Sequence, residues 1–174
     1  MKKYTLLTVV ILFASTFTCF AQKFACVDTE FILNNMPEYK QAQKELDDLS
    51  VQWQNEVEAK FKEIDKMYKS FQAEAVLLPE DLKNKKENEI IAAEKEAKNL
   101  QKQRFGNDGS LAKKRSELIK PIQEKVYNAI EKIAQEKNYG IVFDKADGGN
   151  VLYVDSKTDI SDLVLGELGY KIKK

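Results

Sequence analysis

The chain has 174 residues, with 28 basic, 28 acidic and no histidine, and is 43% hydrophobic and 32% charged. A balanced charge supplies no strong field to draw it onto nucleic acid. The missing histidine removes the commonest general base and metal ligand, and the length suits one domain.

In chain order, Met1 to Ala21 reads as a secretion leader. Lys2 and Lys3 give a positive start, Leu6 to Ala14 an apolar core, and Cys19-Phe20-Ala21 a small-residue cleavage site. The apolar part is short for a membrane span and lacks charged flanks on its far side. Phe17 and Thr18 before Cys19 do not fit a lipoprotein box. Cleavage after about Ala21 removes two lysines and leaves 26 basic and 28 acidic residues, a net of −2. One cysteine, Cys26, then remains. It supports no internal disulfide framework and reads as a small buried hydrophobe.

Lys23 to Asp28 is expected to be a strand. Asp28 or Thr29 caps a brief helix through Ile32 and Met36, and Pro37 with Glu38 opens a long one. From Tyr39 to Leu77 there is no Gly or Pro. Leu46, Leu49, Trp53, Val57, Phe61, Ile64, Tyr68 and Phe71 recur at steps of 3 or 4, one stripe on a helix. Such a helix spans roughly 60 Å, so it must project from a domain this small. Pro79, Glu80 and Asp81 start a second helix. Its stripe runs through Ile90, Ala93, Ala97 and Leu100, then Leu118, Ile122, Val126, Ile130 and Ile133. The turn of residues 77–80 makes the two helices antiparallel neighbours and forms the far tip of the hairpin, residues 39–138.

Gly106-Asn107-Asp108-Gly109 predicts a break in the descending helix, and Pro121 predicts a kink. About fifty residues lead from the first strand to the tip and about sixty lead back, so the break should absorb roughly ten. Gly140 should end the hairpin. Ile141 to Asp144 and Val151 to Val154 read as strands joined by a loop at residues 146–150. Asp159 should cap a last helix, Ile160 to Leu168, ended by Gly169. Residues 22–38 and 139–174 thus form a small β-body. The fold class is α+β, mostly α, with a long antiparallel helical hairpin projecting from that body. Three short strands make too small a core and leave open edges, so copies should associate through their strands.

At this point the chain resembles the Skp/OmpH family of periplasmic chaperones over essentially its whole length. The resemblance lies in Val27-Asp28-Thr29-Glu30, the charged hairpin, and Ala129-Ile130-Glu131-Lys132-Ile133-Ala134. It is strongest in Tyr139-Gly140-Ile141-Val142-Phe143-Asp144-Lys145, Val151-Leu152-Tyr153 and Asp159-Ile160-Ser161-Asp162-Leu163-Val164-Leu165. It implies a jellyfish-like homotrimer in the periplasm whose helical tentacles surround a cavity. It implies an ATP-independent holdase that keeps unfolded outer-membrane β-barrel proteins from aggregating. The well-known members are strongly basic, whereas this chain is close to neutral, so apolar contact should carry more of the holding.

Apolar residues off the hairpin seam are the candidate client-binding surface: Met67, Val76, Leu77, Leu78, Ile91 and Phe105. Packing between the arms is the competing account of Met67 and Ile91. Leu77 and Leu78 could staple the tip, and Phe105 could plug the break. Lys102 to Lys125 holds seven basic and three acidic residues. Lys102, Arg104, Lys113, Lys114 and Arg115 there form a basic patch that could meet acidic client segments or an anionic membrane surface, or simply line a solvated face.

No catalytic constellation, phosphate-binding loop, cofactor motif or metal-ligand spacing is found. Asp144, Asp147 and Asp155 are better explained by turn chemistry than as a cation site. The chief alternative to a chaperone is a structural coiled-coil spacer or scaffold subunit of the cell envelope, whose seam would account for every apolar residue.

Overall fold

A computed structural model describes residues 23–146 and 152–170. The expected leader, the loop at residues 147–150 and Val151 lie outside them. In chain order the elements are β1 (Lys23–Val27), α1 (Thr29–Asn35), α2 (Pro37–Glu74), α3 (Glu80–Phe105), α4 (Ser110–Lys137), β2 (Tyr139–Asp144) and α5 (Ser161–Glu167).

Local chemistry sets most boundaries. The Asp28 carboxylate accepts the Phe31 N–H and caps α1. Pro37 occupies the first position of α2 and Glu38 its first turn. Glu80 and Asp81 open α3. The hairpin ends at residue 138, two residues before Gly140: Asn138 takes the left-handed conformation at φ 58° and closes α4. Asparagine tolerates that conformation better than most residues. Gly140 lies inside β2 instead. Gly169, at φ 85°, ends the chain's last helix as expected.

β1 and β2 pair in parallel, with Ala25 opposite Val142 and Val27 opposite Asp144. Parallel neighbours need a crossover connection; here that connection is the entire hairpin, which brings both its feet to one sheet. On its other edge β1 exchanges hydrogen bonds with the segment before α5: Cys26 N–H to Thr158 O at 2.8 Å and Ile160 N–H to Cys26 O at 2.9 Å. The expected third strand is not formed. Leu152 to Val154 carry no strand pairing, and Leu152 and Tyr153 are 99% and 84% exposed. Residues 158–160 take the free edge of β1, while the outer edge of β2, where a hairpin would have placed residues 152–154, carries no strand among the described residues.

The main core sits where the sheet, α1, α5 and the root of the hairpin meet. Ala25, Val27, Ile32, Met36, Ile160, Val164 and Leu165 are buried there against Ile122, Val126, Ala129 and Ile133 of α4. A second, smaller cluster of Ile64, Ile90 and Ala97, flanked by Met67, Phe71 and Ala93, lies midway along the arms.

The predicted break is present, since α3 stops at Phe105 and α4 starts at Ser110. It does not absorb the surplus length. Glu56 pairs with Arg104 and Glu45 with Lys114, so eleven residues of α2 face ten of the descending chain across the break. Gly106 and Gly109 are extended (ψ 167° and 174°), and extended residues advance further than helical ones. The surplus is taken up at the root. Lys125 lies opposite Glu38, at the start of α2, and α4 continues beyond it to Lys137 through the main core. Helix α4 also runs uninterrupted through Pro121.

Candidate functional site

The hairpin is the largest feature of the fold, and its two arms are tied along their length. Ion pairs cross between the arms in antiparallel order: Glu38 with Lys125, Glu45 with Lys114, Glu56 with Arg104, Lys60 with Glu96, and Glu74 with Lys86. These pairs are solvated and individually weak, but their order fixes the register of two helices held by a thin apolar seam. Ala42, Leu46, Val57 and Ile64 of α2 are buried in that seam, as are Ile90 and Ala97 of α3. Trp53 is partly buried and carries Arg104 over its ring at 4.9 Å.

The candidate apolar residues divide. Met67 is partly buried against the arm cluster of Ile64 and Ile90. Leu78 and Phe105 are half-buried at the tip and the break. Val76 and Leu77 are 90% and 85% exposed, and Ile91 is 62% exposed. Sequence spacing placed Phe61 and Tyr68 in the seam, yet the structure leaves them 38% and 50% exposed. Step position relative to the cross-arm ion pairs does not separate them from the seam, since Leu46 and Val57 also follow paired glutamates and are buried. Leu82, on the outer turn of α3, is a further exposed apolar residue near the tip that spacing did not single out.

The basic candidates also divide. Arg104 donates through Nε and Nη2 to both Glu56 carboxylate oxygens, at 3.1 and 3.2 Å. Lys114 bonds Glu117 at 3.3 Å and lies 3.5 Å from Glu45. The hydrogen bond to Glu117, reinforced by Glu45, holds its ammonium above the ordinary lysine value. Lys102 and Lys113 flank a shallow groove over the break, together with Asp108. Arg115 is exposed. The five do not form one unopposed patch.

The root is locked by polar contacts. Asp159 accepts Lys145 at 2.7 Å and the Ser161 N–H at 2.9 Å, while the Asp28 N–H donates to Ser161 Oγ at 2.8 Å. Burial raises Asp159, but the bonds from Lys145 and Ser161 outweigh it and leave the carboxyl below its usual value. The Tyr170 hydroxyl donates to Glu38. Burial, with that bond, pushes the phenol up to about 12. Asp144 and Asp155 each accept a backbone N–H two residues on, from Ala146 and Lys157, as turn residues do. Among the described residues no group of three or more His, Cys, Asp or Glu is arranged to hold a metal ion, and no helix is long and apolar enough to cross a membrane.

The outer face of the sheet is apolar. Phe24, Ile141 and Phe143 are 61%, 51% and 45% exposed, with half-buried Cys26 among them. The pairing puts Phe24 beside Ile141 and Cys26 beside Phe143.

A family model described as "Outer membrane protein (OmpH-like)" matches residues 23–168. An uncharacterized protein of Aquifex aeolicus (strain VF5) is 34% identical over 149 residues, covering 86% of this chain and 87% of the relative. A crystal structure from Caulobacter crescentus CB15, described as a candidate outer membrane chaperone (OmpH-like), superposes with a TM-score of 0.68 at 12% identity. That match covers 88% of this chain and 89% of the other.

Proposed function

Because this chain belongs to the OmpH-like outer membrane protein family, we propose that it is an ATP-independent periplasmic holdase for unfolded outer-membrane β-barrel proteins. The observation that carries the reading is the distribution of exposed apolar side chains on a projecting hairpin: Phe61, Tyr68, Val76, Leu77, Leu82 and Ile91. An unfolded barrel protein presents alternating apolar residues and unpaired strands that aggregate. A holder needs small apolar contacts spread over a large surface, each weak enough to release, and acting together. The cross-arm ion pairs keep the hairpin in register without burying those side chains.

The apolar outer face of Phe24, Ile141 and Phe143, together with the exposure of Leu152 and Tyr153, supports association of copies through their bodies. In the proposed assembly three copies join there, and their hairpins enclose a cavity in which the client is held. No chemistry on the client is required, and the protein acts by binding alone.

The test dilutes a urea-unfolded outer-membrane barrel protein with and without this protein, following light scattering and the mass of the soluble fraction. Suppressed scattering with a soluble complex of three copies and one client is the expected result. A stable trimer that leaves aggregation untouched would refute the holdase.

A further inference from the structure

The two buried clusters are not continuous. One occupies the root and the other the middle of the arms, and the break at residues 106–109 falls between them. Leu46 and Val57 are buried in the intervening stretch but belong to neither cluster. There, α2 passes without interruption while the descending chain loses its helical ladder, keeping a turn bond from Gly109 N–H to Gly106 O at 2.8 Å. The turn is too tight at two positions for a side chain. A Cβ on Gly106 would lie 2.5 Å from Lys102 O, and one on Gly109 would lie 2.9 Å from Arg104 O and from Gly106 N and O. A single helix therefore carries the bending stiffness at this level, unless something ties the broken arm to it.

The apolar seam at Leu46 and Val57 does so in part, and two polar contacts add to it, one on each side. Arg104, in the last turn of α3, grips Glu56 through two hydrogen bonds and lies over Trp53. Lys114, early in α4, reaches Glu45, also on α2. We infer that residues 106–109 are a joint in the arm, locked by the Arg104–Glu56–Trp53 clasp on its outer side and by Lys114–Glu45 on its inner side. Opening the clasp frees the outer segment to move against the root. Both ties are ionic and partly solvated, so dissolved salt weakens the lock. This does not depend on the holdase reading, since it concerns the protein without a client.

The test is amide hydrogen exchange of the unliganded protein, with fluorescence of Trp53, the chain's one tryptophan. Raising salt from about 0.05 to about 0.5 M should speed exchange in residues 102–113. Arg104→Met should speed it about fivefold already at low salt, the fold-change expected for losing an exposed ion pair and a cation–π contact. The variant should show little further response to salt, with an altered Trp53 emission. Glu56→Gln, which keeps Arg104 over the ring, should give a smaller rise. Exchange at residues 90–100 and 122–133 should stay put. Exchange at 102–113 that ignores both salt and Arg104→Met would overturn the joint. So would a rise spread evenly along the hairpin, which would mean general loosening.

Discussion

The discontinuity of the two clusters predicts that one substitution, isoleucine to alanine, will have different consequences at the root and in the arm. Ile32 is fully buried among β1, α4 and α5, whereas Ile90 is 7% exposed in a seam two helices wide. Losing three carbons forfeits about 2.4 kcal/mol of transfer free energy at either site, at roughly 0.8 kcal/mol per group. At Ile32 the surrounding elements come from three separate parts of the chain and cannot close in together, so a cavity term of about 1–2 kcal/mol adds to it. At Ile90 the arms can settle together or water can enter from the flanks, and the cost stays near about 2 kcal/mol. Urea unfolding followed by circular dichroism, at one fixed protein concentration, should therefore rank Ile32→Ala below Ile90→Ala by about 1–2 kcal/mol. Hydrogen exchange should show the Ile90→Ala loss confined to the outer arm. Equal losses, or a root that loosens when Ile90 is truncated, would mean that the hairpin and the body are one cooperative unit.

Other consequences follow from the root and the tip. Burial raises Glu38, but the Tyr170 bond, its own backbone and Lys125 hold it below 4.5, so its contribution is present above that value and is lost as pH falls through the lower folded value. Tyr170 has the opposite sign: its contribution is complete below pH 10 and is lost as pH rises through about 12. Melting temperature against pH should therefore fall at both ends, and Tyr170→Phe should weaken both limbs; a profile unchanged by the substitution would discount the latch. Asp28→Ala should lower stability by about 1 kcal/mol through loss of the α1 cap, and Asp28→Asn, which can still cap, by less; equal losses in thermal melts would place the effect in the 3.6 Å contact with Lys145 instead. Gly109→Ala puts a Cβ against backbone on three sides in a buried turn and should cost about 1–3 kcal/mol, a figure that denaturant titration checks. Val76→Ser with Leu77→Ser should shift stability by less than about 0.5 kcal/mol, since both side chains are in solvent, while weakening suppression of client aggregation; undiminished suppression would remove the tip from the binding surface.

The long helices and their turn were legible because their signals are local. A Gly- and Pro-free run, a repeating apolar stripe, Pro37, and the Gly106 to Gly109 cluster each act within a few residues of themselves. What spacing could not give was rotation about the helix axis. Phe61 and Tyr68 fit a 3-4 repeat as well as Val57 and Ile64 do, yet a two-helix seam is too narrow to cover them all, and these two fall outside it. Ala97, which the second stripe did include, is fully buried against the arm, and Ala42 is buried at the root. That two members of the basic candidate patch are paired was hidden for a similar reason. Arg104 and Lys114 cluster in sequence with other cations, but their partners Glu56 and Glu45 are some fifty and seventy residues away.

The same limit explains the third strand. Val151 to Val154 has a strand's composition, but a strand exists only with a partner, and Leu152 to Val154 take up neither the β1 edge, held by Thr158 to Ile160, nor the outer edge of β2. A sequence pattern that asks for a partner, next to a sheet face of Phe24, Ile141 and Phe143 that lacks one, makes a single argument for a body completed by other copies. On the hairpin the same mismatch has another meaning. Apolar side chains at Val76, Leu77 and Ile91 lie far from that face, spread along an arm whose register is already fixed by ion pairs. Association of bodies would leave them uncovered, and under the proposed holdase function an unfolded chain held between the arms would cover them.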